Sequence, residues 1–430
     1  MFPQLVSVEQ TFCCDHIPNV RSRLFEEMER SGVEIRPGAA IAIAVGSRGI
    51  ANIPLVVKTV VDWVRDKGGV PFLIPAMGSH GNGDAQAQKQ ILEGLGVTEK
   101  YTGAPIRSSM EVVELPSDGL PNHVYMDKNA YQADGTIVIN RIKSHPDFTA
   151  ETESGLMKMC TIGLGKHKQA LEIHKCEIQV LQKTIVATAR QVIRHGNLIM
   201  GIALLENAYH QTMDIQALRP VQFEEAEKQM LRRYKEISPQ FPVDEFDILI
   251  VDEVGKEISG SGMETKIVGR IRSGSQEPVR PRIRYIIATD LTPASHGNAC
   301  GMGLVDFMPR RLFDKIDIDA TNENIVTCRC IEQGRMPLIT RDDRQAVEFA
   351  LRAMGNIPPD GPRVVRIQNT LRMDKLYMTR NLLELAARSL NVTCIGKCEV
   401  PLFRGDQRTL IPFGDLKKME ETASQTGRGL

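Results

Sequence analysis

Between residues 40 and 145 the chain alternates short apolar runs with amphipathic ones, and this alternation restricts the fold more than any other feature. "AIAIAVGSRG" (40–49) reads as a buried strand that ends in a glycine-bounded turn. "NIPLVVKTVVDWVRDKGG" follows with apolar residues at helical spacing and a glycine stop. "VPFLIPAMGSHG" repeats the strand and turn, "GDAQAQKQILEGLG" the helix, and "GTIVINRIKSH" (135–145) the strand. Strands alternating with helices build a parallel, doubly wound α/β sheet, and such sheets take ligands beyond the carboxyl ends of their strands. Three turns on that edge carry polar side chains: Ser47–Arg48, Ser79–His80 and Lys143–His145.

Residues 178–200 and 221–236 read as long helices. The proline-bearing stretch "EISPQFPVDEFD" (236–247) then precedes a new strand–turn pattern beginning with "ILIVDEVG". The expected organisation is two α/β domains, 1–240 and 241–430, each on a largely parallel sheet flanked by helices, with the active site in the interdomain cleft. In the second half, "RIRYIIATDL" and "RVVRIQNT" read as strands, 343–354 and 374–390 as helices, and the tail after 416 as frayed.

A chain of 430 residues is long enough for two cores. Its 53 basic and 53 acidic residues cancel, so no global field draws it to nucleic acid or an anionic membrane, and an anionic ligand must be held by local basic groups. No apolar run reaches membrane-spanning length, and the first twenty residues lack a signal-peptide pattern. Nine scattered cysteines without a C-x-x-C pair read as reduced thiols of a cytoplasmic protein.

The segment "SGLMKMCTIGLGKHKQALEIH" (154–174) sets Lys158 among apolar residues, with His174 downstream. A lysine so placed is either a snorkelling core-edge residue or a nucleophile or covalent tether. "TIGLGKHK" lacks the first glycine and the final hydroxyl of a phosphate-binding P-loop, since Cys160 and His167 occupy those positions. "VGSRG" and "MGSHG" are not Gly-x-Ser-x-Gly elbows, and no His-Glu-x-x-His zinc motif occurs. What remains is Arg48, His80, His145, Lys158 and His174, all but the last in or just beyond strand-end turns. Gly163 and Gly165 allow the chain to fold back between Lys158 and His174.

Over roughly residues 35–180 these residues resemble the lactate racemases that use a nickel-pincer nucleotide (nickel pyridinium-3,5-bisthiocarboxylic acid mononucleotide). The resemblance implies that Lys158 is covalently joined to the cofactor and that His174 ligates nickel. It implies that His80 and His145 are the acid/base pair on opposite faces of the substrate. Arg48, with Ser47, matches the family's anion-binding turn, for cofactor phosphate or substrate carboxylate. The implied reaction moves the carbon-2 hydrogen of a 2-hydroxy acid as hydride to the pyridinium. The planar 2-keto acid so formed then takes it back on either face.

The chain departs from the family at "VGSRGIAN", at Gly81 after the first histidine, and at Leu156-Met157 before the lysine. These departures bear on the substrate, which is lactate or a larger 2-hydroxy acid such as a sugar acid epimerised at carbon 2. Cofactor-assembly enzymes are the implied protein partners. In the second half, Lys256 within "DEVGKEISGSGMETK" and His296 within "TDLTPASHGNACGMG" are further substrate-contact candidates. Two other readings remain open from the residues alone: a Schiff-base lysine enzyme acting on a keto acid, and a two-domain binding protein for an anionic metabolite.

Overall fold

The computed structural model describes residues 2–47 and 49–426. The chain divides into two compact units, one of Cys13–Ser238 and one formed by the residues up to Phe12 with those from Pro239 onward. The first strand, Gln4–Gln10, therefore belongs with the second half of the chain and not with a domain spanning 1–240. It lies between Lys375–Met378 and Val392–Ile395, antiparallel to both, with Val6 opposite Met378 and Val8 opposite Ile395. A hydrophobic strand near a chain terminus carries no local sign of its partner. Only the free edges on offer decide where it pairs.

The unit Cys13–Ser238 is built on a five-stranded sheet in the spatial order Val70–Pro75, Ala40–Val45, Gly135–Arg141, Leu198–Glu206, Thr212–Leu218. The first three pairings are parallel and the last is antiparallel. The alternation in "AIAIAV" divides its strand between two cores. Ile41, Ile43 and Val45 pack on one face with Val56, Val60 and Trp63 of the helix Ile53–Asp66. Ala42 and Ala44 face the other side, among Leu156, Met157 and Met159 and residues of the helices Ile178–His195 and Phe223–Ile237. Small side chains on that face let the Lys158 segment lie close to the sheet. Trp63 is fully buried and donates its indole N–H to Glu29 at 2.7 Å.

The chain runs from Ala40–Val45 outward to Val70–Pro75 and then crosses back to Gly135–Arg141 on the opposite flank. The switch point lies between Ala40–Val45 and Gly135–Arg141, where an open α/β sheet forms its ligand crevice. A short hairpin, Val112–Leu115 with Val124–Asp127, is a separate two-stranded sheet that the periodicity did not announce.

The other unit carries a nine-stranded sheet. Its parallel part runs Leu338–Thr340, Phe307–Pro309, Arg282–Ala288, Glu245–Val251, Val364–Ile367, an antiparallel flank continues through Lys375–Met378, Gln4–Gln10 and Val392–Ile395, and the ninth strand, Val400–Pro401, also pairs with Gln4–Gln10. The helix expected over 374–390 is instead this strand Lys375–Met378 followed by two short helical turns, Arg380–Leu382 and Leu383–Ala386. Its apolar residues satisfied helical spacing, but the open edge of Val364–Ile367 takes "KLYM" as a strand. The tail forms a helix, Phe413–Thr426, with Leu416 fully buried, where fraying was expected. Among the described residues no helix is long and apolar enough to cross a membrane.

Candidate active site

Three turns follow adjacent parallel strands and meet the segment 155–167. A Cβ placed on Gly46 would lie 3.1 Å from Met159, and one on Gly78 would lie 2.6 Å from Ile162. One on Gly83 would fall 2.2 Å from Nδ1 of His167, and one on Gly163 would stand 3.0 Å from the Ala76 carbonyl. Gly78 and Gly83 also have positive φ, so their side-chain-free backbones serve both the turn and the close approach.

The Lys158 segment has four supports. Antiparallel bonds between Lys143 and Ser154 (2.9 and 3.1 Å) close the loop 145–153, so His145 and Lys158 become spatial neighbours. Gly155 then opens the short helical turn Leu156–Lys158, which continues as a π-type turn over Met159–Gly163. Wide turns of this kind recur at functional sites. The Asn140 amide donates to the Gly155 carbonyl at 2.9 Å. The fourth support is Glu227, fully buried on the helix Phe223–Ile237, whose Oε2 accepts the Met157 N–H at 2.9 Å. Burial pushes the Glu227 carboxyl up to about 7, against the opposing pull of the Met157 and Leu156 N–H groups. A Cβ on Gly155 would lie 2.4 Å from that carboxyl carbon, so only glycine lets the two approach.

His145 is buried, and its ring stacks on Phe148 with centroids 4.3 Å apart. Its backbone N–H donates to Glu153 Oε2 at 2.7 Å, while Glu153 Oε1 accepts from Ala150 N–H and from Lys235. Nε2 of His145 lies 2.7 Å from Nζ of Lys158. The Asp147 N–H is directed at Nδ1 at 3.2 Å. Which of the two nitrogens donates in the His145–Lys158 contact follows from the imidazole tautomer. Lys158 is half-buried.

On the neighbouring turns, Ser47 Oγ is hydrogen-bonded to Nδ1 of His80. The His80 ring is exposed, and its turn is pinned by buried Gln88, whose amide donates to the carbonyls of Gly78 (3.0 Å) and His80 (2.9 Å). Arg48 lies outside the described residues. His174 is half-buried and caps the helix Lys166–Ile173, its N–H donating to Ala170 at 3.0 Å. Lys256 and His296 belong to the other unit. There, Lys256 Nζ donates to the Gly260 carbonyl at 2.7 Å and to Asn324, and exposed His296 sits in a left-handed turn.

Lys166 has a structural task. It is fully buried with Nζ 3.0 Å from Asp127 Oδ2 and 2.5 Å from the Pro75 carbonyl, and so ties the hairpin and the strand Val70–Pro75 to the helix it begins. His167 packs on Gly83, and the Lys168 ammonium lies over the Tyr125 ring. Sequence reasoning missed Glu227, Glu153 and Gln88. A Glu inside a strongly charged helix and a Gln inside an amphipathic one give no sign of burial. Only the tertiary position turns them inward.

Residues 41–219 match a family model described as a domain of unknown function, DUF362. No curated protein matches the chain. Among solved structures, the lactate racemase apoprotein from Thermoanaerobacterium thermosaccharolyticum superposes with a TM-score of 0.52 at 13% identity. The match covers 85% of this chain and 98% of that one. At this identity the likeness is one of fold: two layered α/β units with largely parallel sheets flanked by helices.

Proposed function

We propose that this protein is a racemase or epimerase of 2-hydroxy acids that works with a lysine-tethered nickel-pincer nucleotide. The observation that carries the reading is the 2.7 Å contact between Lys158 Nζ and His145 Nε2 at the switch-point edge of its sheet. The fold shared with a lactate racemase apoprotein supports it. The residues fit such a group. It requires a primary amine, which half-buried Lys158 provides, and an imidazole at its metal, a role we assign to His174. Ser47 and Arg48 would bind its phosphate or the substrate carboxylate. When bound, the nucleotide supplies a reversible acceptor for the carbon-2 hydrogen and its electron pair.

The chain itself handles protons and position. His145 accepts the hydroxyl proton of one enantiomer and His80 serves the other face, roles that suit an imidazole because the ordinary pKa of that ring lies near neutrality. Phe148 stacked on His145 keeps that ring in one plane, and Glu153 fixes the backbone that carries it. Ser47 does the same for His80 through Nδ1. A lactate-sized acid or a larger sugar acid fits the proposal. Protein made beside the cofactor-assembly enzymes tests the assignment by racemisation assays. His80→Ala and His145→Ala should each lower turnover by about 10²–10⁴-fold, and full racemisation in both would refute the two-base reading.

One observation favours a second reading. The Lys158 amine lies 2.7 Å from Nε2 of His145, an imidazole able to exchange a proton with it, which also suits Schiff-base formation with a keto acid. Borohydride trapping of a substrate adduct on Lys158 in cofactor-free protein would support that alternative.

A further inference from the structure

The antiparallel flank of the nine-stranded sheet carries a cavity of about 410 Å³ that the proposed reaction does not use, large enough for a small metabolite. The strand Gln4–Gln10 lines it with Ser7 and Glu9, and the strand Lys375–Met378 with Lys375. The turn that follows Val392–Ile395 adds Gly396 and Lys397, and the helix Phe413–Thr426 adds Lys417, Glu420 and Glu421. The Glu420 side chain is only 13% exposed. Its Oε2 accepts from the Lys375 ammonium at 3.0 Å and from the hydroxyl of fully buried Tyr377 at 3.3 Å. Oε1 of the same carboxyl is buried and meets no donor among the described residues. A Cβ on Gly396 would stand 2.4 Å from Ser7 Oγ and 3.4 Å from Glu420 Oε1, so both oxygens border the space that this glycine leaves. The Gly396 N–H is already given to the Ser7 carbonyl at 2.8 Å.

A buried carboxylate oxygen without a donor costs stability, and the partner it lacks is a group that brings N–H or O–H bonds. The rim has the opposite need. Lys397 and Lys417 are exposed and pair with no carboxylate among the described residues. Carboxylates and ammoniums thus line one cavity in equal number. An anion alone would be repelled by Glu9, Glu420 and Glu421, and a cation alone by Lys375, Lys397 and Lys417. A ligand that carries both charges is attracted by both sets.

We propose that this cavity binds a free α-amino acid as its zwitterion. The ammonium of the ligand donates to Glu420 Oε1 and Ser7 Oγ, and its carboxylate pairs with Lys397 and Lys417 at the rim. The arrangement resolves both imbalances at once: the orphaned oxygen gains a donor, and the two unpaired ammoniums gain an anion. The bound amino acid joins the strand Gln4–Gln10 to the helix Phe413–Thr426, and because it binds only the folded chain it stabilises that state as its concentration rises.

Thermal unfolding of the full-length chain with each standard amino acid in turn tests this. At least one should raise the midpoint by about 2 °C or more at saturation. The same compound without its amino group, and without its carboxylate, should leave the midpoint unchanged; for L-alanine these are propionate and ethylamine. Hydrogen exchange with the active compound should show gained protection in 4–10 and 413–422. Glu420→Gln and Lys417→Met should each weaken its binding at least about tenfold in calorimetric titration. Lys417 is exposed and makes no ion pair, so its substitution leaves the fold intact and the result readable. No shift with any amino acid, an equal shift with a singly charged analogue, or undiminished binding in Lys417→Met would overturn the proposal.

Discussion

At the scale of single residues, the site depends on the meeting of Gly155 and Glu227. The carboxyl caps the first turn of the Lys158 segment, and the glycine leaves it the space to do so. Gly155→Ala should destabilise the chain by about 1–3 kcal/mol through overpacking. The cost should shrink in a Glu227→Ala background if the carboxyl is the main obstacle, as denaturant midpoints of the four proteins would reveal.

Glu227 also ties stability to pH. Its folded-state value of about 7 lies above the ordinary carboxyl value of 4.5. Across that window the native state keeps a proton that the unfolded chain has lost, so stability falls as pH rises from about 4.5 to about 7. The group's share is at most about 3 kcal/mol. Glu227→Gln, which keeps the acceptor for Met157, should flatten this part of the stability–pH curve. An unchanged slope would show that Glu227 stays ionised in the folded protein.

At the scale of elements, the strand–helix alternation between 40 and 141 was legible because each element buries one kind of face. Ile53–Asp66, Ala85–Gly94, Ile178–His195 and Phe223–Ile237 lie close to where periodicity placed them. The elements that escaped reading are those whose form is set by a partner. The hairpin Val112–Leu115/Val124–Asp127 exists to hold Asp127 against Lys166, and Lys375–Met378 is a strand because an edge awaits it. The site was legible to the extent that strand-end turns declare themselves. Its supports were not, because burial of Glu227, Glu153 and Gln88 follows from packing between distant segments.

The Lys166–Asp127 pair gives an element-level expectation. Lys166→Met leaves a buried carboxylate without its cation and should cost about 3–5 kcal/mol. The double variant Lys166→Met/Asp127→Asn should recover part of that loss in urea unfolding. Equal stability of the single and double variants would mean that the pair does not hold the hairpin.

At the scale of the whole molecule, the chain forms one continuous unit, Cys13–Ser238, and one that needs both ends of the sequence. The boundary near 240 was visible in its prolines, but the destination of Gln4–Gln10 was not. Removing residues 2–12 should expose the edges of Lys375–Met378 and Val392–Ile395. Hydrogen exchange should then show lost protection in those strands, while Ala40–Val45 and Gly135–Arg141 keep theirs. Loss of protection in both units would mean that the two do not fold as separate cooperative bodies.

The central claim is chemical and rests on Lys158. Its most direct test is intact mass and metal analysis of the chain produced together with the cofactor-assembly enzymes. The expected result is a mass adduct that maps to Lys158 and carries nickel, absent from Lys158→Ala and retained in His80→Ala and His145→Ala. Protein that leaves such a preparation with an unmodified Lys158 and no nickel would contradict the account.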